Sequence, residues 1–408
     1  TRAAKEKYHG TSATSEVREF RIRMGMELDL MNLWFGKTAD YFKQFISDQT
    51  IGMARINRFD FTTLPINLLY LLYYEYRRNE KESLNFSFFE YGKNSNDNPD
   101  DDRWEMYLEL QEMYAILQRW YNDKELYHYL GFLFFNFKAQ TPFRDIYTQW
   151  KALNSRDKFL KDIQHTIATR MLDRYLEETE KAAPDYQKCL KTMTEAISDF
   201  RENWYNNDKE LYQILILLDI FRILDSKSIK KLPTDYFTRK SGQKDGEDKE
   251  HILSQTPRKD NGEITTIKTD WEKFVQSEDF KDIRSQMQDI LNHSDAELTE
   301  QELIQLQNLL NSAGLNSIGN MALLDLRINR SYGNADYTHK RTIIFQEYMN
   351  QKYVRPHTLA VFMKGDIDAR EATGIPLNRW TLEDIKRNTD KIAKEIGKNF
   401  NAWLTQNN

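Results

Sequence analysis

Glu250-His251-Ile252-Leu253-Ser254-Gln255 sets an acid beside a histidine, and Ser317-Ile318-Gly319-Asn320-Met321-Ala322-Leu323-Leu324 brings in a second segment headed by an asparagine. Asp325-Leu326-Arg327-Ile328-Asn329 follows directly, and Tyr332-Gly333-Asn334-Ala335-Asp336-Tyr337-Thr338-His339-Lys340-Arg341 completes the set. Successive side chains on a β-strand point to opposite faces, so a neighbouring acid and His serve two sides of one strand. The order predicts a strand with the acid-His pair, a returning strand with Asn320, and a helix that begins near Asn329.

These residue types suit metal-dependent phosphodiester cleavage. That chemistry needs a base for water, a hard cation to neutralise charge on the phosphate and the leaving oxygen, and oxygen ligands that leave positions open. A ββα-metal hairpin supplies all three compactly. Glu250 is expected as one metal ligand and His251 as the general base. Asn320 is expected to orient the loop that bears the His and to help set its tautomer. Asn329, nine residues after Asn320, is the expected second ligand. Lys340 and Arg341 are expected on phosphate, Arg for bidentate contact and Lys as a point charge. Asn334 is an alternative to Asn329 as metal ligand.

Each piece is weak by itself. The chain has seven His, and an isolated surface His is rarely catalytic. Asn320 after Gly319 also reads as turn chemistry, and Lys340-Arg341 as a solvated helix face. His339 reads as a surface residue and His357 as a structural one. The ordered combination carries the expectation. The oxygen-rich ligand set without thiolate favours Mg²⁺, with Mn²⁺ or Ni²⁺ as substitutes, and no zinc.

The combination resembles the C-terminal HNH domain of the GmrSD-type restriction enzymes, with the same acid-His and Asn-x8-Asn order as the HNH nuclease domain of Cas9. The similarity is specific over about 245–345. It weakens upstream through Trp120–Leu133 and Leu211–Leu224, and downstream through Arg355-Pro356-His357-Thr358. Two departures stand out. Gly246-Glu247-Asp248-Lys249 leads into the acid-His pair where the family often has Trp-Asp-Ile, and the family's N-terminal Asp-Gly-Gln-Gln-Arg motif is absent. The resemblance implies cutting of modified or foreign DNA in anti-phage defence, with nicking and double-strand cutting both open. It also leaves room for a nucleotide-binding domain in a missing N-terminal region or a separate subunit.

Outward from the motif, residues 226–271 are rich in Lys, Asp, Gly and Thr and read as a loop-rich insertion. Residues 277–313 return to helix, and the tail after Trp380 reads as an amphipathic helix capped by Thr381. Upstream, 1–20 reads as loop and 16–47 as helix, with Leu28, Met31, Leu33, Trp34 and Phe35 crowded as in a buried face. A buried helix is expected to start at Pro65. An acidic loop over 92–103 should precede a helix over 104–120. Trp120-Tyr121-Asn122-Asp123-Lys124-Glu125-Leu126 recurs about 85 residues later as Trp204-Tyr205-Asn206-Asn207-Asp208-Lys209-Glu210-Leu211. Each copy should end one helix near the Trp and cap the next with its Asn/Asp cluster. Repeated packing without chemistry is the plainer reading of the pair.

The fold class expected is mainly α: a helical domain over 1–225, then a small ββα-metal (HNH) nuclease domain embedded in helices over 226–408. The first stretch allows for the end of a missing N-terminal domain plus a helical linker domain, since the chain begins at Thr1 and fits a piece of a longer protein. The 408 residues, 40% hydrophobic with 15 Gly and 8 Pro, suit two helical domains with real cores. One Cys, Cys189, excludes an internal disulfide framework and any Cys-rich zinc site, and fits a cytoplasmic protein. A net charge of −5 excludes a broadly basic nucleic-acid-binding surface, so contact with DNA must be local or metal-assisted. No apolar run spans a membrane. A homo-oligomer stays open. The competing expectations are a nucleic-acid-binding module that has lost cleavage and a helical interaction module of a restriction complex.

Overall fold

The computed structural model describes residues 14–78, 83–89, 99–228, 231–239, 246–257, 263–328, 336–364 and 378–405. They are mainly helical, with one two-stranded sheet among them. Helices α1 (Thr14–Phe42), α2 (Asp48–Ile56), α3 (Asn67–Arg77), α4 (Pro99–Asn122), α5 (Lys124–Asn136), α6 (Phe143–Leu153) and α7 (Arg156–Leu172) come first. The chain then forms α8 (Tyr186–Ser198), α9 (Asp208–Asp225), β1 (Glu247–His251), α10 (Lys268–Val275), α11 (Arg284–Asn292) and α12 (Glu300–Ser312). It ends with β2 (Met321–Asp325), α13 (Tyr337–Met349), α14 (Pro356–Met363) and α15 (Leu382–Thr405). Two compact units, 1–164 and 165–408, divide inside α7. The division expected at 225/226 falls within the second unit, because α8 packs on α15 and α9 packs on α14 and β2.

The first unit is held by stacked aromatics. Tyr41 stacks on Tyr127 at 4.6 Å, Phe45 on Phe134 at 3.8 Å, and Trp120 on Phe159 at 5.5 Å. Burying rings of this size supplies much of a core's apolar contact. Asp123 ends α4 and caps α5, accepting from the Glu125 and Leu126 N–H groups. Arg156 then bonds both Asp123 oxygens at 2.9 Å. Several expectations are corrected here. The helix expected from residue 16 starts at Thr14, so the loop expected over 1–20 gives way to helix from there. Leu33 faces solvent at 63% exposure, on the side of the helix opposite the face that buries Met31 and Phe35. Pro65 sits in a turn whose carbonyl accepts from Leu68, and the helix itself begins at Asn67. Residues 99–103 extend α4 rather than forming loop.

In the second unit β1 and β2 pair antiparallel, with Glu250 opposite Ala322 and His251 opposite Met321. Two further bonds extend the ladder, Ile252 N–H to Asn320 O at 2.9 Å and Leu326 N–H to Gly246 O at 2.8 Å. Residues 321–324 of β2 are buried on both faces, as a continuous apolar run requires. Ala322 and Leu324 join the core with Trp271, Tyr337, Phe362 and Trp380. Thr299 and Glu302 form a reciprocal capping box on α12. Thr381 and Asp384 do the same on α15. α15 crosses the 3₁₀ turn Ile318–Asn320 so closely that a Cβ on Gly319 would lie 2.2 Å from the Ile385 carbonyl. Glycine is therefore required there by approach of backbone to backbone, and Asn388 uses the gap to donate to Gly319 O at 2.8 Å.

Candidate active site

Strand β1 reads Glu-Asp-Lys-Glu-His, with no apolar side chain to bury. Each of its five side chains instead meets a named polar partner. Both Glu247 oxygens accept from Arg355 at 2.7 Å, and the same guanidinium reaches Asp219 at 2.9 Å. Asp219 is closed off further by the His357 N–H at 2.7 Å. Asp248 pairs with Arg239 at 3.1 Å. Lys249 pairs with Asp208 and the Tyr205 carbonyl. Glu250 pairs with Lys340 at 2.7 Å, and His251 with Asn316 at 2.9 Å. Charges taken out of water cost several kcal/mol each unless paired and hydrogen-bonded, so these partners decide that the strand forms here.

His251 is buried on the side of β1 that faces the 3₁₀ turn Trp204–Asn206. Its ring stacks on Tyr205 with centroids 4.7 Å apart and planes 18° from parallel. Asn316 Oδ1 receives both His251 Nε2 and Gln255 Nε2, the latter at 3.0 Å, while Asn316 Nδ2 donates to Asn311 Oδ1. The amide therefore presents an acceptor to the ring. A neutral His251 that donates from Nε2 to this acceptor carries its basic lone pair on Nδ1.

Asn320 does not touch that ring. Its Oδ1 accepts from Leu253 N–H at 2.8 Å, and its Nδ2 donates to the carbonyls of Leu253 and Leu315. Both amide atoms are buried, and their three bonds hold the segment just after His251. Setting the tautomer, expected of Asn320, falls geometrically to Asn316.

Glu250 lies on the opposite face of β1 from His251. Lys340 Nζ donates to Glu250 Oε1 at 2.7 Å and to the His251 carbonyl at 2.6 Å. Lys340 is fully buried, and burial pushes its ammonium below the usual lysine range, against the pull of Glu250. The expectation that it contacts phosphate is corrected: a lysine inside the core braces β1 instead. Arg341 is half-buried, donates to Phe362 O at 2.9 Å and lies over the Phe345 ring. His339 is exposed and His357 buried. The candidate ligands Asn329 and Asn334 lie outside the described residues.

No group of three or more His, Cys, Asp or Glu converges on a common point among the described residues. Glu250 remains a fitting single ligand for a hard cation, since only Oε1 is bonded to Lys340 and its side chain keeps 16% of its surface. A carboxylate with amide and water oxygens suits Mg²⁺ or Mn²⁺ and disfavours zinc.

The structure adds residues that the motif does not name: Tyr205, Asp219, Asn316 and Arg355. Tyr205 lies in the second Trp-Tyr-Asn copy, and Asn316 four residues before Asn320. Arg355 precedes Pro356 at the start of α14, a helix start without the side-chain signal of a partner. The second copy also departs from expectation at its cap. Asn207 accepts nothing from the first turn of α9 and donates to Glu210 instead.

Residues 194–395 match the family described as GmrSD restriction endonucleases, C-terminal domain. No curated protein and no solved structure matches the chain. Among the described residues no helix is long and apolar enough to cross a membrane.

Proposed function

The chain belongs to the GmrSD restriction endonucleases through this C-terminal domain, and from that premise we propose that it is an HNH-type, metal-dependent nuclease that hydrolyses DNA phosphodiester bonds. One observation carries the reading: an acid and a His stand side by side on one strand, on opposite faces, with Asn320 fixing the backbone that follows. In this account β1, β2 and the residues after Asp325 form the ββα-metal unit. Asn329, or Asn334, completes the ligand set with Glu250. The helical stretch 1–225 decides when cleavage is allowed. The setting is cytoplasmic defence against foreign DNA, with a nucleotide-binding domain or subunit and self-association both compatible with it.

His251 Nδ1 takes a proton from water, and the Asn316 amide keeps the imidazole in the tautomer that can do so. Glu250 would offer an oxygen to Mg²⁺ or Mn²⁺, which when bound would supply charge neutralisation at the phosphate. Lys340 holds Glu250 in place and offsets its charge. Arg341 is the remaining candidate for phosphate contact.

The rival reading, a nucleic-acid-binding module without cleavage, is favoured by one fact: a buried ammonium already occupies one Glu250 oxygen. Incubation of the full chain with supercoiled plasmid DNA separates the two. Mg²⁺ or Mn²⁺ should produce nicked or linear product, and EDTA should stop it. Intact plasmid with every divalent metal tried, on modified and unmodified DNA alike, sinks the nuclease in favour of the binding module.

A further inference from the structure

We propose that Tyr205 and Asn316 form a clamp that fixes the plane and the tautomer of His251, making both positioning residues of the nuclease site. This rests on the reading of His251 as the base. The two Trp-Tyr-Asn copies are used differently. In the first, Tyr121 is half-buried among aromatic rings, 5.3 Å from Tyr127 and 5.5 Å from Tyr41. In the second, the corresponding Tyr205 ring covers the face of His251 and keeps 36% of its own surface in solvent.

The geometry gives each contact a separate task. The hydrogen bond at Nε2 by itself would allow the imidazole to swing about the N···O line. A ring laid against its face removes that swing, so bond and stack together aim Nδ1 in one direction. The turn that carries Tyr205 is itself tied to the site on three sides. Trp204 N–H donates to the Asn316 carbonyl at 3.0 Å. Lys249 donates to the Tyr205 carbonyl, and its ammonium lies 4.3 Å from the Tyr205 ring centroid. Tyr205 thus links the helical segment before β1 to the orientation of the base.

The test uses the full chain, supercoiled plasmid in Mn²⁺, and side-chain NMR of His251 assigned through His251→Gln. Tyr205→Leu should lower kcat roughly 10- to 100-fold with KM little changed, as misaiming a catalytic group does. The His251 ring protons should lose their upfield ring-current shift, and Tyr205→Phe should restore both. Asn316→Ala should move part of neutral His251 to the Nδ1–H form, read from its ring ¹⁵N shifts at fixed pH. If Tyr205→Leu raises KM alone, or leaves the His251 resonances in place, the clamp is refuted. If His251→Ala cuts as fast as the parent protein, the base reading fails and the clamp with it. If His251→Ala is dead while Tyr205→Leu keeps full kcat, only the clamp fails.

Discussion

Replacing Arg355 with Met removes the guanidinium between Asp219 and Glu247. Both carboxylates are buried, with side-chain exposures of 0% and 2%, and between them they lose three charge-assisted bonds of 2.7–2.9 Å. Removing one partner of a buried ion pair costs about 3–5 kcal/mol, most of it the penalty of the charge left behind. Domains are stable by about 5–15 kcal/mol, so Arg355→Met should consume a large part of the second unit's margin. At an m-value of about 2–3 kcal/mol/M the urea midpoint of that unit falls by about 1–2 M. Hydrogen exchange in peptides covering 246–257 should rise first, because Glu247 begins β1. Asp219→Asn and Glu247→Gln added to Arg355→Met should recover part of the loss, since no stranded charge remains. A loss below about 1 kcal/mol for the single change is the range of surface pairs, and it would refute the claim that buried charge pairing holds the strand.

Asn320→Ala leaves the Leu253 N–H and the Leu253 and Leu315 carbonyls without their side-chain partner, at about 1–3 kcal/mol for each group left unsatisfied. Urea unfolding should register at least about 2 kcal/mol, and a loss within a few tenths would mean that water replaces the amide. Asp123→Ala removes a helix cap and the Arg156 pair, and should cost about 1–2 kcal/mol near neutral pH. Burial pushes the Asp123 carboxyl up, but Arg156 and the Leu126 and Glu125 N–H groups outweigh it and hold it below its usual 3.8. A depressed acid stabilises the fold above its unfolded pKa, so the gap between parent and variant should close as pH falls below about 3.8. A gap that stays constant to lower pH would remove the ion pair from the account. Crystals soaked in Mn²⁺ should show an anomalous peak about 2.0–2.6 Å from a Glu250 oxygen. A saturated soak without that peak would remove Glu250 as a ligand.

Sequence and structure agree where the determinant is local. Thr299 and Thr381 carry their capping partners three residues away, and α9 shows its continuous apolar run and α15 its apolar stripe in the chain itself. Strand β1 is the opposite case. Glu-Asp-Lys-Glu-His has no apolar alternation, and its partners Asp208, Asn316, Lys340 and Arg355 come from distant segments. Only the motif order marked it as a strand. The burial of Lys340 is invisible in the sequence, because a lysine looks the same there whether its ammonium faces solvent or a buried carboxylate. Tyr205 carries no such mark in the sequence, because a repeated Trp-Tyr-Asn turn is explained well enough by packing. Its stack on His251 depends on a turn and a strand that meet only in the folded chain.

The central claim is that His251, set on an ionic strand, is the base of a metal-dependent nuclease. Single-turnover cleavage of plasmid DNA by the parent protein and by His251→Ala, in the same Mn²⁺ buffer, tests it most directly. Loss of a general base should slow the cut by about 10²–10⁴-fold with DNA binding retained. A His251→Ala rate equal to that of the parent protein would contradict the account.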